Sequence, residues 1–575
     1  MTAFYDLTRL VMNDRASKTL RLGLVTSALI STLSLFVACE SNEVVSRVLI
    51  DIRTLDDTNT GGPYALNGPG ELTLTPYDLT TNTLYNSVSF NLADKEGEVP
   101  ALPLGRWQFL VTGQQGGDQI FGVSAPFDVD SYEGVSALAI VGKSQCTGLL
   151  PALRGPNGVE GTSDLARSYD GSAAVALADG RVLILGGGSI NTSTGDLEMA
   201  SDEIQVYDPR YGIVSVVSER LSVPRAFHRA TLLNDRRILV TGGVKSVING
   251  QYLVDGTAEV ISVNDDGSLS TSGPIPMDGG LASDTGRYQH MQVLLNDGTV
   301  LIAGGRDTSG PLSSSTRFFP QTNLFVVQGD LNTPRADASI TLLKRTQEKA
   351  LISGGLSDSG PLASTEIFTT NPGAGCVPTP TTDGSVGCFT LSASLNRPRW
   401  AHNSALLEDG SVLLVGGYQS GDRTTPREAI SVIEQFKFII VTDAAGNPTS
   451  ANITVQDAVG LLTNTRGRAG FAMLREGNSR DKFVLIGGET GGSTAAVSII
   501  NTNNLSQGIG TQVELAPTCP LSEDRYRPMT VTTPEGAIMI LGGIKRGDVY
   551  IPSRRIEVIY PQVNNISLVL NSPSP

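Results

Sequence analysis

Val182-Leu-Ile-Leu-Gly186-Gly187 is the first of seven stretches in which a short apolar run ends in two glycines. The others are Ile238-Leu-Val-Thr-Gly242-Gly243, Val300-Leu-Ile-Ala-Gly304-Gly305, Ala350-Leu-Ile-Ser-Gly354-Gly355, Val412-Leu-Leu-Val-Gly416-Gly417, Phe483-Val-Leu-Ile-Gly487-Gly488 and Ile538-Met-Ile-Leu-Gly542-Gly543. Their first glycines are 56, 62, 50, 62, 71 and 55 residues apart. A repeat of this length decides the fold, and it makes most recurring residues architectural rather than chemical.

The text around each double glycine has four parts. A first strand follows an arginine, as in Pro224-Arg-Ala-Phe-His-Arg-Ala-Thr-Leu-Leu233 or Pro398-Arg-Trp-Ala-His-Asn-Ser-Ala-Leu-Leu407. A turn then often reads Asp-Gly (Asp179-Gly180, Asp297-Gly298, Asp409-Gly410), which suits a two-residue hairpin. The apolar run does not alternate, so it is a strand buried on both faces. The glycines end it with a bend and a close backbone approach. A third strand follows, such as Glu203-Ile-Gln-Val-Tyr-Asp208, and a weaker fourth, such as Gly212-Ile-Val-Ser-Val-Val or Ile566-Ser-Leu-Val-Leu570. Seven units of four antiparallel strands predict a seven-bladed β-propeller over 160–570.

The arrangement resembles Kelch repeats, whose units run arginine, often histidine, first strand, Gly-Gly strand, then a strand with an aromatic and Asp-Pro. Kelch units usually carry a fourth-strand Trp; this chain has only Trp107 and Trp400, neither at that place. His228, His290 and His402, the only histidines, each stand three residues after an opening arginine. They read as the repeat's own packing histidines, because metal ligands must converge and these belong to blades 2, 3 and 5. Galactose-oxidase-like copper enzymes share the seven-bladed Kelch propeller but need two Tyr, two His and a thioether Cys, a set this chain does not supply. No metal, cofactor or catalytic residue is assigned.

Arg167, Arg225, Arg287, Arg335, Arg399, Arg468 and Arg525 open the seven first strands and are expected to form a ring at one mouth of the channel. The Kelch resemblance implies that arginines there contact ligand carboxylates, and guanidinium suits bidentate capture of such groups. Internal pairing is the competing expectation, since Glu203, Glu259, Glu366 and Glu557 begin third strands. Arg317 near the matching place in blade 3 and Ala496 in blade 6 leave Arg287 and Arg468 least neutralised. The ligand-face candidates are therefore Arg225, Arg287, Arg335, Arg399 and Arg468.

Upstream, Arg15, Lys18 and Arg21 precede the 17-residue apolar stretch from Leu22 to Ala38, which ends Leu35-Phe36-Val37-Ala38-Cys39. This resembles a bacterial lipoprotein signal, residues 1–38, with Cys39 receiving lipid. By resemblance to lipoprotein sorting, Glu40 in place of Asp favours the outer membrane, the protein facing periplasm or cell surface. Residues 39–46 read as a tether. Residues 47–146 read as a small β-sandwich: Val48-Leu-Ile-Asp-Ile, Glu71-Leu-Thr-Leu-Thr and Ser87-Val-Ser-Phe-Asn-Leu run between turns. The segment Val99–Val111 resembles strand edges of prealbumin-like and immunoglobulin-like modules, with Trp107 and Phe109 on one face.

Cys146, Cys376, Cys388 and Cys519 remain, an even number for an oxidising compartment. Of three pairings, Cys376 with Cys388 closes the shortest loop and leaves Cys146 with Cys519; free thiols are the alternative.

Composition narrows the function. Hydrophobic content of 40% and charged content of 17% describe a globular chain, and its 64 glycines and 30 prolines a turn-rich one. A net charge of −15 excludes a basic nucleic-acid footprint and leaves the lipid as the only membrane contact. No Gly-x-Ser-x-Gly elbow, phosphate loop or His-Glu-x-x-His occurs. The leading expectation is a non-catalytic scaffold that binds a protein segment or glycan at one propeller mouth. The alternative is a carbohydrate-active enzyme of the epimerase or mutarotase type, since periplasmic Kelch propellers include a sialic-acid epimerising family.

Overall fold

The computed structural model describes residues 9–10, 45–46, 48–57, 70–91, 102–130, 135–150 and 164–562, apart from 265, 278–285, 344–348, 371–385, 423–424, 426, 443–447, 476–481, 504 and 506–513. The stretch Leu22–Ala38, Cys39, Cys376 and the strand expected at Ile566–Leu570 lie outside the described residues. The chain divides into two compact units, Met1–Arg53 with Ala65–Val141, and Thr54–Tyr64 with Gly142–Pro575.

The first unit is all β. Its described strands join in one nine-stranded sheet and one two-stranded ribbon (Val45–Ser46 with Leu102–Pro103), rather than in two separately bonded sheets. Gly105–Gln115 lies inside that sheet, between Asp118–Ser124 and Gly70–Asp78. Trp107, Phe109, Leu110 and Val111 are all buried, so both faces of this strand are covered, not only the face carrying the aromatics.

The second unit is a seven-bladed β-propeller. In blade 1 the sheet runs Ala173–Ala176, Val182–Leu185, Glu203–Asp208, Ile213–Arg220 from the axis outward, every pair antiparallel. Blades 2 to 6 repeat this order, and first strands of neighbouring blades pack side by side around the axis. The apolar second strands are buried on both faces because each is sandwiched between blades. In Ile238–Thr241, Ile238 and Val240 pack against Leu183 and Leu185 of blade 1, while Leu239 packs towards Val300 and Ile302 of blade 3.

Blade 7 is completed from the other end of the sequence. Its sheet runs Met529–Thr532, Ile538–Leu541, Ile556–Ile559, then Thr147–Leu149 and Asp56–Asp57. The propeller thus takes in strands well before residue 160, and an N-terminal strand serves as its last outer strand. A disulfide between Cys146 and Cys519 ties that strand to the end of blade 6's outer strand, across 373 positions. Cys388 is also disulfide-bonded.

The double glycines are the joints between blades. All fourteen residues have positive φ. In blades 1 to 6 the second glycine donates its amide to the carbonyl of the arginine opening the next blade: Gly187 to Arg225 at 2.7 Å, Gly243 to Arg287 at 2.8 Å, Gly488 to Arg525 at 2.9 Å. A Cβ on the first glycine of these blades would lie 2.3–2.6 Å from that same oxygen. Blade 7 joins blade 1 differently, through Leu165 and Arg554, which exchange hydrogen bonds at 2.7 and 2.6 Å.

The Asp-Gly turns are not two-residue hairpins. Five residues, 177–181, separate the first two strands of blade 1, closed by Leu177 N to Arg181 O at 2.8 Å. Only Gly180 takes positive φ; Asp179 instead accepts from the Arg181 amide at 3.0 Å.

Candidate ligand site at one mouth of the propeller

The arginine ring is inside the walls, not at the mouth. Arg225, Arg335, Arg399 and Arg525 are 0% exposed. Each is ion-paired to a third-strand glutamate: Arg225 to Glu259 (2.8 Å), Arg335 to Glu366 (2.7 Å), Arg399 to Glu434 (2.7 Å) and Arg525 to Glu557. The glutamate's remaining capacity goes to the loop before the arginine, as in Ser222 N to Glu259 (2.7 Å) and Asn332 N to Glu366 (2.8 Å). These charges are therefore spent on the fold, where removing one partner would strand the other in a dry interior.

The exceptions are informative. In blade 3 the glutamate's place is held by Thr316, not Arg317, and Arg287 donates to Gly304 O (3.0 Å), Ser314 O (2.9 Å) and Ser314 Oγ (2.9 Å). In blade 6 the opening arginine is Arg466, not Arg468, and the glutamate's place is Ser498, not Ala496. Arg466 donates to carbonyls and Ser498 Oγ, and burial pulls its pKa down to about 10. In blade 1 Tyr169 stands where the others have arginine and donates to Glu203 at 2.9 Å, while Gln205 replaces the paired glutamate. Arg167 is largely exposed, 3.8 Å from Glu203.

The histidines lie between blades. His290 Nε2 meets Thr241 Oγ1 at 2.8 Å, and His402 Nε2 meets Ser339 and Ser353 at 2.9 and 3.1 Å. His228 faces Gly186, where the preceding residue is Leu185 rather than Thr or Ser, and neither ring nitrogen makes a well-formed hydrogen bond. Burial, then Arg225 and Arg229, pushes its pKa down to about 3. Among the described residues no three His, Cys, Asp or Glu side chains converge as metal ligands would.

What surrounds the axis is a belt two residues after each opening position. Gly171, Phe227, Gln289, Asp337, Ala401, Arg468 and Arg527 all have φ between 49° and 69°. Six hydrogen bonds run round it from blade to blade: Phe227 N to Gly171 O, Gln289 N to Phe227 O, Asp337 N to Gln289 O, Ala401 N to Asp337 O, Arg468 N to Ala401 O and Arg527 N to Arg468 O, at 2.8–3.2 Å. Six non-glycine residues in this region carry steric strain that the bonded belt holds in place.

The belt divides two cavities. On one side lies a channel chamber of about 410 Å³, on the other a bowl of about 460 Å³; Phe227, Gln289, Arg468 and Arg527 line both. The bowl's floor is basic. Arg468 stacks over Trp400 (5.4 Å), and burial with the neighbouring Arg527 charge pulls its pKa to about 9. Glu489, nearly fully buried, holds Arg427 (3.1 Å), Arg468 (3.9 Å), Arg546 and the Tyr418 hydroxyl (3.0 Å). Arg527 lies over Phe227 and Tyr526 and pairs with Asp170 at 2.7 Å; burial opposes its charge, but Asp170 raises its pKa overall. Arg306, bridged to Tyr288, has a buried Nε with no hydrogen-bond partner, and its guanidinium has no carboxylate within 4.0 Å among the described residues. Five guanidiniums thus face two buried carboxylates, Glu489 and Asp170, and the half-buried Asp337 adds an opposing charge near Arg468 and Arg527. Tyr252, Tyr288, Tyr526 and Tyr550 form aromatic walls, and three acids, the exposed Asp196 and Asp358 and the half-buried Asp422, line the bowl as well.

Of the ligand-face candidates, only Arg468 reaches this bowl. Arg306, Arg427, Arg527 and Arg546 lie outside the expected arginine ring. The signal available was the residue after each double glycine: Gly188, Val244, Leu356 and Ile544 are apolar or small, whereas Arg306, Tyr418 and Glu489 break the pattern.

The architecture defines a seven-bladed β-propeller with an arginine- and tyrosine-lined bowl at one mouth. No family model matches the chain, and no curated protein matches it. Among solved structures it is similar to a fungal alcohol oxidase of the AA5 family in complex with copper, at 14% identity over 68% of this chain and 74% of that one, TM-score 0.47. It is also similar to YjhT, at 12% identity over 61% of this chain and 98% of that one, TM-score 0.38. At that distance neither likeness speaks to this chain's chemistry.

Proposed function

We propose that this chain is a non-catalytic binding protein of the bacterial envelope, a Kelch-type propeller whose bowl seats an acidic segment of a protein or an acidic glycan. The observation that carries the reading is Arg306: a guanidinium without a carboxylate partner, on a floor whose other four arginines share Glu489 and Asp170. A ligand carboxylate there gains charge-assisted hydrogen bonds from a guanidinium that has no carboxylate of its own. The tyrosine walls suit the apolar faces of a peptide or sugar. The chain's net charge of −15 makes this basic floor a local feature, so selectivity comes from the bowl rather than from long-range attraction.

The test is a titration with fluorescein-labelled octaglutamate and with oligogalacturonate, each beside a neutral counterpart. Saturable binding of an acidic probe that weakens with salt supports the reading; no binding of either acidic probe overturns it. Anchoring through Cys39 is tested separately: Cys39→Ala should move the protein from the membrane to the soluble fraction, and retention in the membrane would refute the anchor.

A further inference from the structure

We propose that the bowl's occupant is a protein segment of mixed charge, an acidic side chain beside a lysine or arginine, rather than an acidic glycan. The inference rests on the reading of the bowl as the ligand seat and narrows it. Four arginines line the bowl, Arg306, Arg427, Arg468 and Arg527, but so do three aspartates, Asp196, Asp358 and Asp422. Arg306 and Asp358 come from neighbouring blades, 3 and 4, and lie close in the fold. Arg306 pairs with Pro311 across a tight turn, closed by Asp307 N to Gly310 O at 3.0 Å. Asp358 stands against that turn: a Cβ on Gly310 would lie 3.1 Å from Asp358 Oδ1. The two charges do not meet, and neither side chain makes a hydrogen bond or ion pair among the described residues. Asp307, the nearer acid in sequence, spends its carboxylate on Ser309 N (2.7 Å), Ser309 Oγ (2.6 Å) and Gly310 N (3.0 Å).

An uncommitted guanidinium beside an uncommitted carboxylate is complementary to a ligand that carries both signs. A ligand carboxylate takes the guanidinium's parallel N–H groups, and an ammonium or guanidinium next to it donates to the Asp358 oxygens. A purely acidic ligand satisfies Arg306 but brings like charge towards Asp358 and Asp196, whose carboxylate is also without a partner among the described residues. Uronic-acid glycans carry carboxylates only, whereas a protein segment offers both signs within a residue or two. The ribbons beside the bowl point the same way. Val244–Ile248 with Gln251–Val254, and Ile544–Arg546 with Tyr550–Pro552, place Tyr252 and Tyr550 in the bowl's lining. The same two ribbons expose Ile248, Leu253, Val549 and Ile551 to solvent. Exposed aliphatic side chains at one mouth suit apolar residues flanking a charged segment, not sugar hydroxyls.

The probes are two fluorescein-labelled octapeptides, octaglutamate and an alternating glutamate–lysine sequence, titrated against the wild type and Asp358→Asn, with oligogalacturonate as the glycan arm. The expected result is that Asp358→Asn binds the alternating peptide roughly three- to fivefold more weakly, the scale of one exposed ion pair, and binds octaglutamate no more weakly than the wild type does. Asp358 has no side-chain partner to lose among the described residues, so the variant should keep the wild-type melting temperature. An alternating peptide bound equally by both proteins, or both peptides weakened alike, overturns the inference and leaves the bowl reading standing. So does a wild-type protein that binds oligogalacturonate or octaglutamate but not the alternating peptide. Absence of binding by all three probes overturns the bowl reading, and this inference with it.

Discussion

The amide of Gly355 donates to the carbonyl of Arg399 in the following blade at 2.8 Å, and a Cβ on Gly354 would lie 2.3 Å from that same oxygen. The repeat's most visible residues are therefore a joint between blades, not the end of a strand alone. Gly354→Ala forces backbone into backbone as well as straining a positive φ, and should cost more than 2 kcal/mol, on the order of an overpacked core. Gly542, at the seam, has no backbone nearer than 3.6 Å to its Cβ position. Gly542→Ala should cost only about 1 kcal/mol from its φ. Urea midpoints of the two variants check this; equal losses would refute the joint.

The buried arginine–glutamate pairs make a second prediction. Glu434→Ala leaves Arg399 charged and without its carboxylate, and should destabilise by about 3–5 kcal/mol. Arg399→Met combined with Glu434→Leu should recover much of that loss, since hydrophobic replacement of a buried pair is often near neutral. Thermal unfolding of the single and double variants measures it.

The histidines set an acid limb. Burial is the first cause holding all three below the ordinary imidazole value, and His228 titrates at about 3. Between about pH 6.5 and the folded value the unfolded chain binds more protons, so stability falls as pH falls through that window, by up to about 1.4 kcal/mol per pH unit for each histidine. His228→Leu should flatten the limb and cost less at pH 7 than the change at His402, because no hydroxyl loses a partner beside Leu185. His402→Leu should flatten it too but cost about 1–3 kcal/mol at pH 7, through the unsatisfied Ser339 and Ser353 hydroxyls. Urea midpoints between pH 4.5 and 7.5 test both.

These residues also show what was legible in the sequence. The blade number, the buried second strands and the inter-blade histidines follow from a repeated local pattern, and a repeat reports local geometry well. Two of the seven expected arginines stand two residues from the true opening positions. Arg167 and Arg468 each lie near an opening position actually held by Tyr169 and Arg466; the Arg466 carbonyl that accepts from Gly417, and the Asp170–Gly188 bridge in blade 1, fix the register. The outer strand of blade 7 is Thr147–Leu149 rather than the downstream Ile566–Leu570, because strand exchange between chain ends leaves no local mark. The belt had no compositional sign at all. Phe227, Gln289, Asp337, Ala401, Arg468 and Arg527 share a left-handed backbone imposed by their neighbours' hydrogen bonds, not by residue type. The bowl's arginines come from different positions of different blades, so nothing in one repeat announces them.

The most direct measurement is the affinity of whichever acidic probe binds, octaglutamate or oligogalacturonate, for the wild type and for Arg306→Ala. Arg306 makes no hydrogen bond or ion pair with its side chain among the described residues, so its removal should leave the melting temperature unchanged. Loss of a charge-assisted contact of about 1.5–3 kcal/mol should weaken binding roughly 10- to 150-fold. Unchanged affinity in a fully folded Arg306→Ala protein would contradict the assignment of the bowl as the anion seat.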